Sequence, residues 1–214
     1  MNNKELEIAL SPKLNELHEL NEDAIKIARA LIGESLFKTD LYFCALLNKS
    51  IQLTDGFVEL INKRNLTSAG IILRSSMDNC LRLYAMFIAN NPDEVVDCLM
   101  SGGQLDKLKD KKGNKLRDSY LKDKLGEYDN RFVQVYNNAS GYVHFSEKGF
   151  YQSVSALDGE YEIGIQVSHA IPEKANDYIL ECVQAYLFVL ELFYSMFKDI
   201  IRVKTEYDDR HKEV

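Results

Sequence analysis

The sequence predicts an all-α protein, a bundle of five to six helices with one β-hairpin inserted before a long C-terminal helix. Leu, Lys, Glu and Ile are abundant among the 214 residues, Pro occurs three times and Trp is absent, a composition that favours long helices over a large sheet. Apolar residues recur every three or four positions through most of the chain, which marks buried helix faces. The length and the 46% hydrophobic content predict one globular domain over 1–214.

The first four helices follow from this spacing and from their end signals. Thr67 or Ser68 can cap the third helix, and the breaker at 90–92 ends it. Pro92 and the acidic residue after it have the order of a helix first turn. The predicted helical ranges are, in order, 14–33, 35–63, 68–90 and 92–100.

The second half of the chain is more varied. Residues 104–126 are charged and Lys-rich, and we expect a mobile helical excursion there. A helix follows over 129–144. Alternating residues on both sides of the Asp158-Gly159 turn signal predict a β-hairpin over 150–167. The last helix, 172–204, is apolar on so many sides that we expect it to be central in the bundle or shared with a second subunit.

The charge balance argues against strong binding to DNA. The net charge is −7, whereas non-specific affinity for nucleic acid needs clustered cations. One run of Lys and Arg residues could form a basic patch, but four Asp residues lie among them. This pattern is typical of a solvent-exposed helix face with charges of both signs. The run comprises Lys107, Lys109, Lys111, Lys112, Lys115, Arg117, Lys122 and Lys124, and the acids are Asp106, Asp110, Asp118 and Asp123.

Further patterns predict a cytoplasmic protein without a metal or cofactor. The four cysteines have no CxxC spacing and lie in apolar helical patterns, as buried thiols of a reducing compartment do. The four histidines lack the spacing of a helical metal site. The N-terminus has no apolar signal region. The most apolar stretch, 186–197, is shorter than the ~20 residues of a membrane span, so we expect no membrane insertion.

The first candidate polar group lies inside the third predicted helix. Arg74 and Asp78 are four residues apart in an otherwise apolar stretch, so they share a face and can form an ion pair. An exposed pair contributes little to stability, whereas a buried pair needs further partners. The apolar residues on both sides favour partial burial. A structural pair and a catalytic pair are both consistent with this pattern.

The second candidate group lies at the end of the helix predicted over 129–144. Tyr136, Ser140 and His144 follow one another at four-residue steps and would lie on one face. A histidine at a helix C-terminus can simply be a favourable partner of the helix dipole. That explanation does not cover the row of small and polar residues before it, where a core-facing helix would carry Leu or Ile.

These motifs resemble those of HEPN-related proteins, a group similar to some abortive-infection proteins. The resemblance covers 35–205, which we call the HEPN-like core. It consists of a helix with an Arg-Ser pair and an acidic residue one turn later, a helix with a Tyr-x3-Ser-x3-His motif, a hairpin and a long C-terminal helix. It implies a metal-independent ribonuclease of cellular or anti-phage defence, with RNA as its partner. It also implies a homodimer with both sites near the two-fold axis, which would account for the broad apolar surface of the C-terminal helix.

The resemblance implies roles for five residues. His144 would activate the ribose 2′-hydroxyl or protonate the leaving oxygen, and Asp78, Ser140 and Tyr136 would orient the site. Active members of the family carry an arginine separated from the histidine by four to six residues, but 137–139 contain none, so Arg74 would have to supply the cation from the neighbouring helix. The alternative is a catalytically inactive interaction or ligand-binding module, in which the same cluster pins two helices together.

Overall fold

The computed structural model describes residues 1–143, 154–156, 163–165, 167 and 171–212. The all-α class is confirmed, with seven α-helices in this part of the chain rather than five to six. One of the seven, Asp118–Tyr128, lies mostly in the segment 104–126, where a charged helical excursion was expected. The elements are α1 (Asn3–Ile32), α2 (Lys38–Asn62), α3 (Leu66–Ile88), α4 (Pro92–Met100), α5 (Asp118–Tyr128), α6 (Arg131–Val143), β1 (Val154–Ala156), β2 (Ile163–Ile165) and α7 (Asn176–Lys212).

Helix α1 begins close to the start of the chain, well before the first apolar position of the predicted range. Asn2 caps it: the Asn2 side chain accepts from the Glu5 amide at 2.9 Å, and the Glu5 carboxylate accepts from the Asn2 amide at 2.9 Å. This reciprocal pair satisfies two amides that a helix N-terminus otherwise leaves unpaired. The cap thus starts the helix where the apolar pattern alone gives no signal.

Helix α7 is the centre of the bundle and packs against both α1 and α3. Its Tyr186 ring stacks on Phe57 of α2 at a centroid distance of 3.9 Å. The Tyr186 hydroxyl shares a hydrogen bond of 3.1 Å with Thr54. Because neighbours flank α7 on several sides, its broad apolar surface is used within one chain. The broad apolar surface of this helix therefore no longer supports a homodimer, and the homodimer stays a prediction.

The same helix is the one described element that is long and apolar enough to cross a membrane. Its apolar stretch falls within Glu173–Arg210, and 61% of the most apolar 18-residue window is buried inside the structure. The central helix of a globular bundle has the same length and composition, so this property is weak evidence for a membrane span.

The segment predicted over 104–126 packs against the bundle through four buried leucines: Leu105, Leu116, Leu121 and Leu125. It ends in α5, which lies against α3 and α6. Of the hairpin predicted over 150–167, the structure describes β1 and β2, which pair antiparallel with Val154 opposite Ile165. The turn signal Asp158-Gly159 lies outside the described residues.

Candidate functional site

A polar face runs along α3 where that helix meets α5 and α6. Arg74, Asp78 and Arg82 occupy it at four-residue steps, so they lie one above another on the same side. The opposite side of α3 carries fully buried residues such as Cys80 and Leu83. Helix α3 is therefore fixed by its apolar side, and its polar side is presented to α5 and α6.

Arg74 connects α3 to α6. Its Nη1 donates to Asp78 and its Nη2 donates to the Tyr136 hydroxyl. The guanidinium carbon also lies 3.9 Å from the centroid of the Tyr136 ring, within the range of a cation–π contact. The side chain of Arg74 is 17% exposed and that of Asp78 is 34% exposed. The pair is thus partly desolvated but still reaches water.

Tyr136 is the acceptor in this contact, and its own proton remains available. Burial raises the pKa of Tyr136 above its ordinary value; the positive charge of Arg74 opposes the shift and Asp78 adds to it. The phenol is therefore neutral at physiological pH. It accepts from Arg74 and, among the described residues, its O–H has no acceptor. Arg74 also has N–H donors left over, because its guanidinium carries more than the two in use.

A glycine allows α6 to approach α3 closely beside this contact. A Cβ atom placed on Gly70 would overlap with Cγ of Tyr142, at a separation that real side chains do not show. The Tyr142 ring therefore packs directly on the backbone of α3. This close approach brings the face of α6 that carries Tyr136 within reach of Arg74.

The structure brings three of the five predicted site residues together: Arg74, Asp78 and Tyr136. The Ser140 hydroxyl donates to the Tyr136 carbonyl at 2.9 Å, a local bond within its own helix, and within the described chain Ser140 forms no hydrogen bond with Arg74. The fifth residue, His144, lies outside the described residues. The predicted meeting of His144 with Arg74 therefore stays a prediction.

The sequence analysis missed an extension of this site. Arg82 pairs with Asp118 at the start of α5, with 2.6 Å between Nη1 and Oδ1. Lys122 of α5 places its Nζ 5.9 Å from the centroid of the Tyr136 ring. The four-residue step from Asp78 to Arg82 indicates that Arg82 lies on the same face of α3. No spacing in the sequence indicates that its partner is Asp118 of α5.

A second charged group, also missed, lies between α2 and α7. Lys204 Nζ is 2.6 Å from Asp40 Oδ2, and the two side chains are 5% and 4% exposed. The pair forms part of the wall of an apolar cavity of about 580 Å³ whose lining includes Phe37, Phe87 and Val203. Lys204 also donates to the Ser35 carbonyl, and the Phe37 amide donates to Asp40 at 2.8 Å.

In the described part of the chain, no group of three or more His, Cys, Asp or Glu side chains could hold a metal ion.

Comparisons of the chain with protein-family models, curated proteins and solved structures gave no match. The fold and site therefore define a class only: an all-α bundle with a half-buried Arg-Asp-Tyr contact between its third and sixth helices.

Proposed function

We propose that the chain is a HEPN-like, metal-independent ribonuclease of cellular or anti-phage defence. One observation supports this most strongly: Arg74 is held by Asp78 and Tyr136 at the contact between the two helices that carry the motifs. The missing family arginine of α6 leaves a need for a cation beside that helix. Arg74 is partly exposed and retains unused donors, as a cation that binds a phosphate must.

In this proposal the chain's own groups carry the reaction. The ribose 2′-oxygen attacks phosphorus, the new O2′–P bond forms as the P–O5′ bond breaks, and a 2′,3′-cyclic phosphate and a 5′-hydroxyl result. His144 either accepts the proton that the 2′-hydroxyl loses or supplies the proton that O5′ gains, water exchanges the other proton, and Arg74 stabilises the charge that develops on the phosphate oxygens. The Tyr136 hydroxyl donates a hydrogen bond to the same phosphate oxygens. Asp78 positions Arg74, and Ser140 holds the last turn of α6.

A second candidate is a non-catalytic module in which the cluster pins α3 to α6. The observation that favours it is charge neutrality: Asp78 already compensates Arg74, and Asp118 compensates Arg82. A phosphate entering such a site must compete with a carboxylate. In this case the apolar cavity between α2 and α7 would be the better place for a ligand.

Cleavage of a labelled single-stranded RNA separates the two. We expect the wild type to cleave RNA in the presence of EDTA and to leave the matching DNA intact, because DNA lacks the 2′-hydroxyl. His144→Ala should lower the rate by about 10²-fold or more, and Arg74→Ala by about 10²-fold.

The matched control is Arg202→Ala, which removes an arginine from another i, i+4 pair, with Glu206 on α7. This variant should cleave at the wild-type rate. Equal activity in the wild type, His144→Ala and Arg74→Ala would identify a contaminating nuclease and discard the proposal. Absence of cleavage by the wild type would favour the non-catalytic module.

A further inference from the structure

The Lys-rich run that the sequence presents as a face of mixed sign is, in the structure, a basic surface. We use the name basic loop for residues 107–117. Its six cations are exposed, and none of them forms an ion pair with a described residue. They are Lys107, Lys109, Lys111, Lys112, Lys115 and Arg117.

Within the described chain, the acids that interleave the run form no ion pair with the cations of the basic loop. Asp110 is buried at 7% exposure, Asp118 pairs with Arg82 and Asp123 pairs with Lys122. Of the four acids in the run, Asp106 is left without a described partner. Within 107–117 six cations stand against the single acid Asp110, so the basic loop carries a net positive charge.

Asp110 shapes the tip of the basic loop. Its Oδ2 accepts from the Tyr120 hydroxyl at 2.5 Å, and its Oδ1 accepts from the amides of Lys112 and Asn114, each at 2.8 Å. The hydrogen bond from Tyr120, followed by those from Asn114 and Lys112, lowers the pKa of Asp110 against its burial. The carboxylate thus stays ionised and holds the turn in one conformation.

This turn projects its cations into solvent. The Gly113 amide donates to the Asp110 carbonyl at 3.0 Å, so Lys111 and Lys112 are the two central residues of a β-turn. Lys109 and Lys115 are partners in an antiparallel bridge. Two like charges placed directly opposite each other destabilise such a pair. A bound anion would remove this repulsion.

The basic loop lies beyond the end of α3, on the side of the candidate site. Asp110 forms a bridge with Ala89, which follows Arg74 by fifteen residues, or about 22 Å along a helix axis. The loop leads directly into α5, which packs beside Tyr136 on α3 and α6. A strand held at Arg74 could therefore reach the basic loop only if it extends over several nucleotides.

We propose that the basic loop binds the phosphate backbone of single-stranded RNA at a distance from the cleaved bond. The proposal rests on the proposed ribonuclease function for its choice of polyanion. Binding through phosphates is independent of base sequence and weakens with salt, because each neutralised phosphate releases counterions. The overall charge of −7 opposes general binding of RNA, so we expect the phosphate contacts to be made by this positively charged loop.

Fluorescence anisotropy with a 12-nucleotide 2′-O-methyl RNA measures binding without cleavage. We compare the wild type with a loop variant that carries Lys109→Gln, Lys111→Gln, Lys112→Gln and Lys115→Gln. The loop variant should bind about 10-fold or more weakly at about 0.1 M salt, and the slope of log K against log salt should fall by about 2.8, or about 0.7 for each lost contact.

The matched control replaces two exposed lysines of another surface, Lys49→Gln and Lys63→Gln, which belong to no ion pair of the described chain. It should bind as the wild type does. Urea unfolding should show the loop variant to be at least as stable as the wild type, since it loses the Lys109–Lys115 repulsion. Wild-type affinity and salt slope in the loop variant would overturn the proposal, as would failure of the wild type to bind RNA.

Cleavage then distinguishes this inference from the function on which it rests. The loop variant should cleave an unmodified RNA dinucleotide at the wild-type rate, because that substrate is too short to reach the loop, and should show a raised KM for an unmodified 12-nucleotide RNA. Loop-dependent binding without any cleavage would refute the proposed ribonuclease and leave the RNA-binding loop in place. Cleavage with equal KM values in the wild type and the loop variant would refute RNA binding by the basic loop and leave the proposed ribonuclease function in place.

Discussion

Two of the ion pairs at helix contacts of this bundle differ mainly in their access to water. Asp40 and Lys204, between α2 and α7, are 4% and 5% exposed. Arg74 and Asp78, at the contact of α3 with α6, are 17% and 34% exposed. Both pairs combine one cation with one carboxylate, so their chemistry is closely matched.

The difference in burial separates structure from candidate function. Lys204 donates to Asp40 and to the Ser35 carbonyl, and its ammonium also lies 4.3 Å from the Phe37 ring centroid. Its donors are satisfied within the protein, and an incoming ligand would have to displace them. Arg74 retains donors and a water-accessible edge. A buried, satisfied pair is suited to specifying helix packing, whereas a half-exposed pair can exchange a partner.

The strongest way to test this contrast is to break the buried pair. Lys204→Met keeps the apolar stem but leaves the Asp40 carboxylate buried without a counter-charge. The free energy of unfolding should fall by about 3–5 kcal/mol, measured by urea denaturation.

The double variant Asp40→Asn with Lys204→Met provides the control. The asparagine side chain is neutral, and its amide oxygen can still accept from the Phe37 amide, so most of the lost stability should return. A loss below about 1 kcal/mol in the single variant would mean that the pair is hydrated, and the contrast with Arg74 would disappear.

The second test acts on the packing that supports the half-exposed pair. Gly70→Ala places a methyl group against the Tyr142 ring, so α6 must shift or the ring must turn away. Overpacking of this kind costs about 1–3 kcal/mol, again measured by urea denaturation. Ser68→Ala, a substitution at a half-buried position of the same helix, is the comparison. Full stability in Gly70→Ala would show that the close approach of the two helices is not required.

Much of the fold could be predicted from the sequence because the relevant signals are local. The ranges 35–63 and 68–90 are close to α2 and α3, since apolar spacing, the Asn65–Thr67 region and Pro92 act within a few residues of the helix ends. The start of α1 was missed because Pro12 and a polar first turn hide a helix whose cap is Asn2. Helix α5 falls in the segment where a helical excursion was expected, but its bounds were not predicted because its buried residues, Leu121 and Leu125, form only a sparse apolar pattern.

The candidate site could be predicted only in part, and the reason is distance along the chain. Arg74 and Asp78 are a local pair, so spacing alone indicates it. The contact of Arg74 with Tyr136 spans 62 residues and that of Lys204 with Asp40 spans 164, so no spacing rule reaches them. The basic loop was misinterpreted because a sequence pattern treats neighbouring charges as pairs, whereas in the structure Asp118 pairs with Arg82 and Asp110 accepts from backbone amides and the Tyr120 hydroxyl.

The smallest effect on stability should come from the half-exposed pair itself. Asp78→Asn removes the counter-charge of Arg74 but leaves the hydrogen bond to Tyr136 and the stacking on its ring. Because both side chains reach water, the free energy of unfolding should fall by no more than about 1 kcal/mol, and added salt should shrink the difference from wild type. Asp199→Asn, which removes an exposed partner of Arg202 on α7, should cost still less. A loss of about 3 kcal/mol in Asp78→Asn would place this pair in the same class as Asp40–Lys204: Arg74 would then be a structural cation, unable to leave its carboxylate for a phosphate.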